Sequence, residues 1–223
     1  MTDRRSTRVA SRKEPRQARS NQLVEAVLDA AVQVLTKEGA QRFTTARVAE
    51  RAGVSVGSLY QYFPNKAAIL FRLQSDEWQR TSAMLRDILE DAGTPPRDRL
   101  RRLVHAFIQS ECEEAAIRNA LSDAAPLYRD APEAIHARAE NASIYDSFLH
   151  EALPGVGEEA RKLAGGLIKM TLSGVGERFS QTPRTEAEIA AWSDGLADML
   201  CGYVEGLATG IPAAQGRDDS SGG

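Results

Sequence analysis

The sequence predicts an all-α protein in which a small three-helix unit precedes a larger helical body. Through most of the chain, apolar residues recur at the three- and four-residue spacing of an amphipathic helix. Ser, Thr and Asn stand before these periodic segments and Gly or Pro after them, where helices begin and end. We find no segment with the pattern of a convincing strand.

The chain is expected to begin with a charged arm and one long helix. Residues 1–19 are rich in Arg, Ser and Thr and show almost no apolar periodicity, which predicts a disordered basic arm. The first helix is expected to start at Ser20 or Asn21 and to stop at Gly39.

Two short helices are expected next. Thr44 or Thr45 can cap the second helix, which ends in a tight turn at Gly53. Ser55 can cap the third helix, which is expected to run to Phe63.

The remaining chain is expected to form a helical body. A long fourth helix follows Asn65 and stops at the Gly93–Pro96 cluster, and a fifth follows it. An irregular segment around Tyr128 precedes a helix that ends at Pro154, and two long helices complete the body. The expected divisions are a disordered basic arm, a helix-turn-helix domain, a helical body and a disordered tail, over residues 1–19, 20–66, 67–210 and 211–223.

Charge is unevenly distributed along the chain. Residues 1–66 carry twelve Lys and Arg against six Asp and Glu, whereas the whole chain has a net charge of −3. A basic first third favours contact with a polyanion such as nucleic acid, although a solvated tail would give the same excess. The sequence has neither an apolar run that could span a bilayer nor a secretory signal, which predicts a cytoplasmic protein without membrane partners.

The second and third helices form a helix-turn-helix pattern. Leu59 and Phe63 lie four residues apart and are expected to pack inward. The opposite face carries small, polar or aromatic and nearly uncharged side chains, namely Val56, Gly57, Ser58, Tyr60 and Gln61. Such a face fits the major groove, where Gly57 permits close approach and Gln61 and Ser58 can bond base edges.

Phosphate contacts are expected around this face. Hydroxyl groups, helix N-termini and cationic side chains bind the DNA backbone without reading its sequence. The residues of this kind are Thr44, Thr45, Ser55, Tyr60, Tyr62 and Lys66.

The segment RFTTARVAERAGVSVGSLYQYFPNKAAIL, Arg42 to Leu70, closely resembles the DNA-binding signature of the TetR family of transcriptional regulators. The paired Thr, the VAxxAGVS core and the GSLYxYFxNK block carry this resemblance. It implies a ligand-responsive, homodimeric repressor that binds a double-stranded, pseudo-palindromic DNA operator. Since no metal-site motif is found, we expect neither a cofactor nor a metal. The resemblance also places Thr45, the 55–58 segment, Tyr60, Gln61, Tyr62 and Lys66 at the DNA surface.

The basic arm supports a second hypothesis about DNA. Its seven Lys and Arg could reach phosphates or a flanking minor groove. A nonspecific tail that only aids solubility explains the same charge, and the sequence does not decide between these readings.

The last two helices carry large apolar residues on one face and small residues on another. In the first of the two, the small residues are Gly165, Gly166, Ser173, Gly174 and Gly176. This pattern indicates packing on both sides, and small residues permit close approach of two backbones. We expect the two helices to pair with their copies in a twofold dimer through Gly166, Ser173, Gly195, Met199, Gly202 and Gly206.

The segment between the fourth helix and the last two is the candidate effector region, as the resemblance implies. Its aromatic and polar residues are candidates to line a largely apolar cavity for an unknown small molecule: Phe107, Glu111, Cys112, Tyr128, His136 and Tyr145.

Other functions were weighed against this one. Glu133 and His136 form one ExxH pair, but a di-iron bundle requires two, and no hydrolase, P-loop or zinc-protease motif is present. Cys112 and Cys201 have neither disulfide-framework nor zinc-site spacing. A regulator without a small-molecule ligand, or an activator, would use the same DNA contacts.

Overall fold

Nine α-helices form the part of the chain that the structure describes. The structure is a computed structural model that describes residues 18–128, 130–132 and 142–210, with side chains for residues 20–128, 130–132 and 144–210. The helices are α1 (Ala18–Arg42), α2 (Thr45–Ala52), α3 (Val56–Tyr60), α4 (Lys66–Leu89), α5 (Pro96–Glu113), α6 (Ala115–Ala124), α7 (Ala142–Ala152), α8 (Glu158–Ser180) and α9 (Glu186–Ala208). A single 3-10 turn, Ala125–Leu127, follows α6.

Helix α2 is delimited by the expected residues, whereas α1 begins at Ala18, before the expected Ser20 or Asn21. Thr44 is the N-cap of α2 and accepts a hydrogen bond from the backbone of Arg47. Gly53 ends α2 at φ 67°, in the left-handed region that glycine adopts without strain. Gly39 interrupts α1 at φ 78°, although one further helical turn carries the helix to Arg42.

The third helix is shorter than expected. It ends at Tyr60 instead of Phe63, because Gln61 N bonds to Ser58 O and Tyr62 N bonds to Leu59 O in a tightened turn. This turn brings Tyr62 and Phe63 into the core, where they are 7% and 1% exposed.

One core extends from the helix-turn-helix into the body. Leu59 and Phe63 pack there with α1 and α2, and the first two turns of α4 join them. Helix α6, which the sequence analysis did not predict, packs on α1 and contributes Leu121 and Ala124 to the same core.

A second core lies between the other half of α4 and helices α5, α7, α8 and α9. Leu103, Val104 and Leu149 are fully buried in it. Arg99 is only 1% exposed and fastens three elements, since it donates to Leu89 O of α4 and to the Glu151 carboxylate of α7. Among the described helices, none combines the length and the apolar character that a bilayer span requires.

Candidate DNA interface and effector cavity

Helix α3 presents the face that the sequence predicts. Ser55 caps it by accepting a 3.0 Å hydrogen bond from Ser58 N, and the two hydroxyls lie 2.8 Å apart. Val56 and Tyr60 are each 39% exposed, although both are large apolar or aromatic residues. Gly57 and Gln61 are also exposed, and Ser58 is half-buried.

The two hydroxyls at the start of α2 have different roles. Thr44 is exposed and caps α2, so its side-chain oxygen already accepts the 3.3 Å bond from Arg47 N. Thr45 Oγ1 lies 3.0 Å from the Tyr60 hydroxyl, which ties the first turn of α2 to the end of α3.

Tyr62 differs from the expectation that it lies at the DNA surface. It is 7% exposed and belongs to the N-terminal core, so its ring serves packing. Lys66 is half-buried at the first position of α4, where Asn65 caps the helix by accepting from Ala68 N at 2.9 Å.

Polar contacts that the sequence analysis did not anticipate hold α2 against α1. Arg51 Nε donates to Gln33 Oε1 at 2.7 Å, and Arg47 pairs with Glu38. Helix α2, which precedes α3 in the helix-turn-helix, is thereby held against α1.

A cavity of about 480 Å³ lies between α4, α5, α6, α7 and α8. Three of the six predicted effector residues line it, namely Phe107, Glu111 and Tyr145. Burial raises the pKa of Tyr145 to about 12, so this phenol is neutral at physiological pH. Gln74, Glu77, Trp78 and Arg118 also line the cavity and were not predicted.

The other three candidates have different positions. Tyr128 is buried and does not line the cavity. Its hydroxyl bonds to two lining residues, Gln74 Oε1 and Leu121 O, at 3.0 Å each. Cys112 lies beside a separate surface pocket, where burial raises the pKa of its thiol. His136, like Glu133 and the arm of residues 1–17, lies outside the described residues.

Arg118 is the centre of a buried ion cluster on the cavity wall. It pairs with Glu77 of α4, with Glu111 of α5 and with Glu114, the residue between α5 and α6. Its side chain is 17% exposed, and those of Glu77 and Glu111 are 4% and 11% exposed. The sequence offered no local signal for this cluster, because its members come from separate helices.

Helices α8 and α9 expose an apolar surface that the protomer does not cover. Apart from Val56 and Tyr60, all large apolar residues that are strongly exposed in the described chain lie on these helices: Leu163, Leu167, Met170, Trp192 and Met199. A Cβ built at Gly166, Gly195, Gly202 or Gly206 would meet no atom of the protomer within 4 Å. Small residues therefore lie beside large exposed ones, as a close helix contact requires.

Three residues of the small-residue pattern serve the protomer itself. Ser173 lines the effector cavity, although it remains exposed. Gly176 faces inward, where a Cβ would lie 2.8 Å from Glu111 Cγ and 3.0 Å from Phe107 Cε1. Gly165 similarly faces Leu149, with 3.2 Å between an added Cβ and Leu149 Cδ1.

Both parts of the chain match models of one protein family. Residues 27–73 match the bacterial regulatory proteins of the tetR family, and residues 95–207 match the tetracyclin repressor-like C-terminal domain. The chain belongs to the TetR family. The proteins of this family are DNA-binding transcriptional regulators and not enzymes.

Curated relatives of this TetR-family chain include a transcriptional repressor and a nucleoid occlusion factor, each from a bacterium. The transcriptional repressor KstR of Mycolicibacterium smegmatis is 38% identical over 78 residues, which is 35% of this chain and 38% of that protein. The nucleoid occlusion factor SlmA of Vibrio campbellii is 30% identical over 107 residues, 48% of this chain and 54% of that protein. The matches thus span about half or less of the relatives' own lengths.

Solved structures of similar fold cover most of this chain. The fatty acid degradation regulator FadR of Bacillus halodurans superposes with a TM-score of 0.60 at 19% identity, over 85% of this chain and 97% of that one. The ketosteroid regulator KstR2 of Mycobacterium tuberculosis gives 0.57 at 20% identity, over 88% and 98%. At this identity the likeness establishes the TetR fold.

Proposed function

We propose that this TetR-family regulator is a homodimeric repressor that binds a pseudo-palindromic operator and is released by a small molecule. The exposed, nearly uncharged face of α3 is the observation that carries this proposal. Val56 and Tyr60 are far more exposed than Leu59 between them, so the helix turns apolar and polar recognition groups outward while its other side anchors it. Each recognition helix contacts few base pairs, which is why specific binding needs two copies.

The dimer is proposed to form through α8 and α9. An exposed apolar surface of this extent on a folded chain marks an interaction site. The alternation of exposed Met and Trp side chains with open glycines favours a helix-to-helix contact between two copies. In such a dimer the two α3 helices would be related by the twofold axis, as two half-sites of a pseudo-palindrome require.

Release is proposed to act through α4 and α6. Both helices wall the cavity, and both also enter the core that supports α3. A ligand that prefers one spacing of these helices would shift the position of α3 relative to its copy, by the difference in its affinity for the two states.

The experiment for DNA binding is fluorescence anisotropy of the full-length protein with DNA from around its own gene. Tight binding that weakens with salt, and that is lost in Tyr60→Ala and Lys66→Ala, would support the proposal. Binding to every fragment with equal affinity, unaffected by either substitution, would contradict it.

A constitutive or protein-responsive regulator is the second candidate, since it would use the same DNA-binding face. It predicts that no small molecule changes the anisotropy of the operator complex. The built cavity with buried polar groups favours the ligand-responsive alternative.

A further inference from the structure

The effector cavity carries more buried negative than positive charge. Glu77 and Glu111 line it, and their side chains are 4% and 11% exposed. Together with Glu114 they share the guanidinium of Arg118, and Arg80 reaches Glu77 from outside the cavity at 2.7 Å. Three carboxylates therefore have two guanidinium partners, in surroundings where charge is weakly screened.

Arg118 directs four of its five N–H groups at protein acceptors, so its guanidinium is largely committed before any ligand arrives. Its Nη1 donates to Glu111, its Nη2 to Ser110 Oγ at 2.7 Å and Glu114 at 3.0 Å, and its Nε to Glu114 at 3.3 Å. A ligand carboxylate that paired with two of these N–H groups would have to displace Glu111 or Glu114, which would then lose its cationic partner. Among the described lining residues the other cation is Lys169, which is exposed to solvent, as is the lining residue Glu177.

The acidic side of the cluster is incompletely satisfied. Arg118 Nη2 lies 2.5 Å from Glu77 Oε1, yet no described donor makes an aligned hydrogen bond to that buried oxygen. Burial also raises the pKa of Glu111, and the neighbouring Arg118 offsets this only in part. The cavity thus holds carboxylate groups that an added positive charge would stabilise.

The cavity walls also carry aromatic rings, which an organic cation can contact in addition to the carboxylates. Trp78, Phe107 and Tyr145 line the same cavity, and aromatic faces attract cations when water is excluded. A volume of about 480 Å³ accepts a molecule with several carbon substituents around the charge.

We propose that the cavity binds an organic cation of the quaternary ammonium or phosphonium kind, held by Glu77 and Glu111 and by the aromatic wall. The proposal names the ligand class of the effector site and so rests on the proposed function. It predicts discrimination against carboxylate ligands of the same shape.

Two probes of nearly equal shape and opposite charge test the ligand class. Isothermal titration of the full-length protein in sodium buffer would compare tetraphenylphosphonium with tetraphenylborate. We expect the phosphonium to bind at least about ten-fold more tightly. The buried carboxylates attract its positive charge and repel the negative charge of the borate, and burial strengthens both effects. Failure of the phosphonium to bind, or equal or tighter binding of the borate, would overturn the proposal.

Matched variants test the two carboxylates. Glu111→Gln and Glu77→Gln keep the side-chain shape, and each is expected to weaken phosphonium binding about five-fold or more. Glu113→Gln removes an exposed carboxylate from the same helix as Glu111 and should leave the affinity unchanged. Circular dichroism of each variant verifies folding, and an unaltered affinity in both folded cavity variants would overturn the assignment.

Operator release separates this proposal from the proposed function. If the phosphonium binds as expected but leaves the anisotropy of the operator complex unchanged, the ligand class stands and release by an effector fails. If the borate releases the operator and the phosphonium does not, release stands and the cationic ligand class fails.

Discussion

The Thr45 and Tyr60 hydroxyls lie 3.0 Å apart and join the first turn of α2 to the last residue of α3. Tyr60 is 39% exposed, so its ring is held in place at the proposed DNA surface by this bond more than by packing. A tethered hydroxyl loses less side-chain entropy when it binds a phosphate.

Tyr60→Phe is expected to weaken operator binding about five- to ten-fold, because the variant lacks both the tether and the phosphate contact. Anisotropy titrations measure this loss. Thr45→Val should cost less than additively in the Tyr60→Phe background, since both changes remove the same bond. Tyr203→Phe, on distant α9, is the control, and full additivity would contradict the coupling.

Gly176→Ala is expected to destabilise the protein by about 1–3 kcal/mol, because a Cβ there would lie 2.8 Å from Glu111 Cγ and 3.0 Å from Phe107 Cε1. Gly174→Ala is the matched control two residues earlier, where a Cβ meets no atom of the protomer within 4 Å. Urea unfolding at one protein concentration compares the two. Equal unfolding free energies would show that Gly176 is not required by packing.

Met170→Glu is expected to convert the proposed dimer to monomers. Met170 is 75% exposed on α8, and a carboxylate buried between two copies would lack a compensating charge. Light scattering after size-exclusion chromatography gives the molar mass. Gln79→Glu adds the same charge at an exposed position of α4 and should remain dimeric; a dimeric Met170→Glu protein would place the interface elsewhere.

The Arg99–Glu151 pair predicts a pH-dependent stability. The hydrogen bond from Arg99 lowers the pKa of Glu151 below its ordinary value of 4.5. A lowered folded pKa stabilises the fold above the ordinary value, and this contribution is lost as the pH falls through the folded pKa.

Glu151→Gln should therefore be less stable than wild type at neutral pH, and the difference should shrink as the pH drops below 4.5. Urea unfolding over this pH range tests the expectation. Glu159→Gln, whose carboxylate is 93% exposed, is the control. A difference that grows toward acid pH would have the wrong sign.

The sequence predicted those features that depend on neighbouring residues. Thr44 and Ser55 cap their helices, Gly53 adopts positive φ, and Leu59 is buried while Val56 is exposed. Each of these depends on interactions within a few residues, which spacing and residue type determine.

Features that depend on contacts between distant helices were missed or misassigned. The burial of Tyr62 follows from a tightened turn against α1, and α6 is held by its packing on α1. Gly176 belongs to the small residues expected at the dimer contact, yet a Cβ there would meet Glu111 and Phe107 of α5. The Arg118 cluster requires α4, α5 and α6 to converge, which no local pattern records.

Selection of bound DNA from a random library, with the full-length protein, tests the central claim most directly. The account predicts enrichment of a two-fold symmetric site whose half-sites lie about one helical turn apart or a multiple of it. Gln61→Ala should relax the preference at one position in each half-site. Enrichment of an asymmetric site, or of none, would contradict a homodimer that reads DNA with α3.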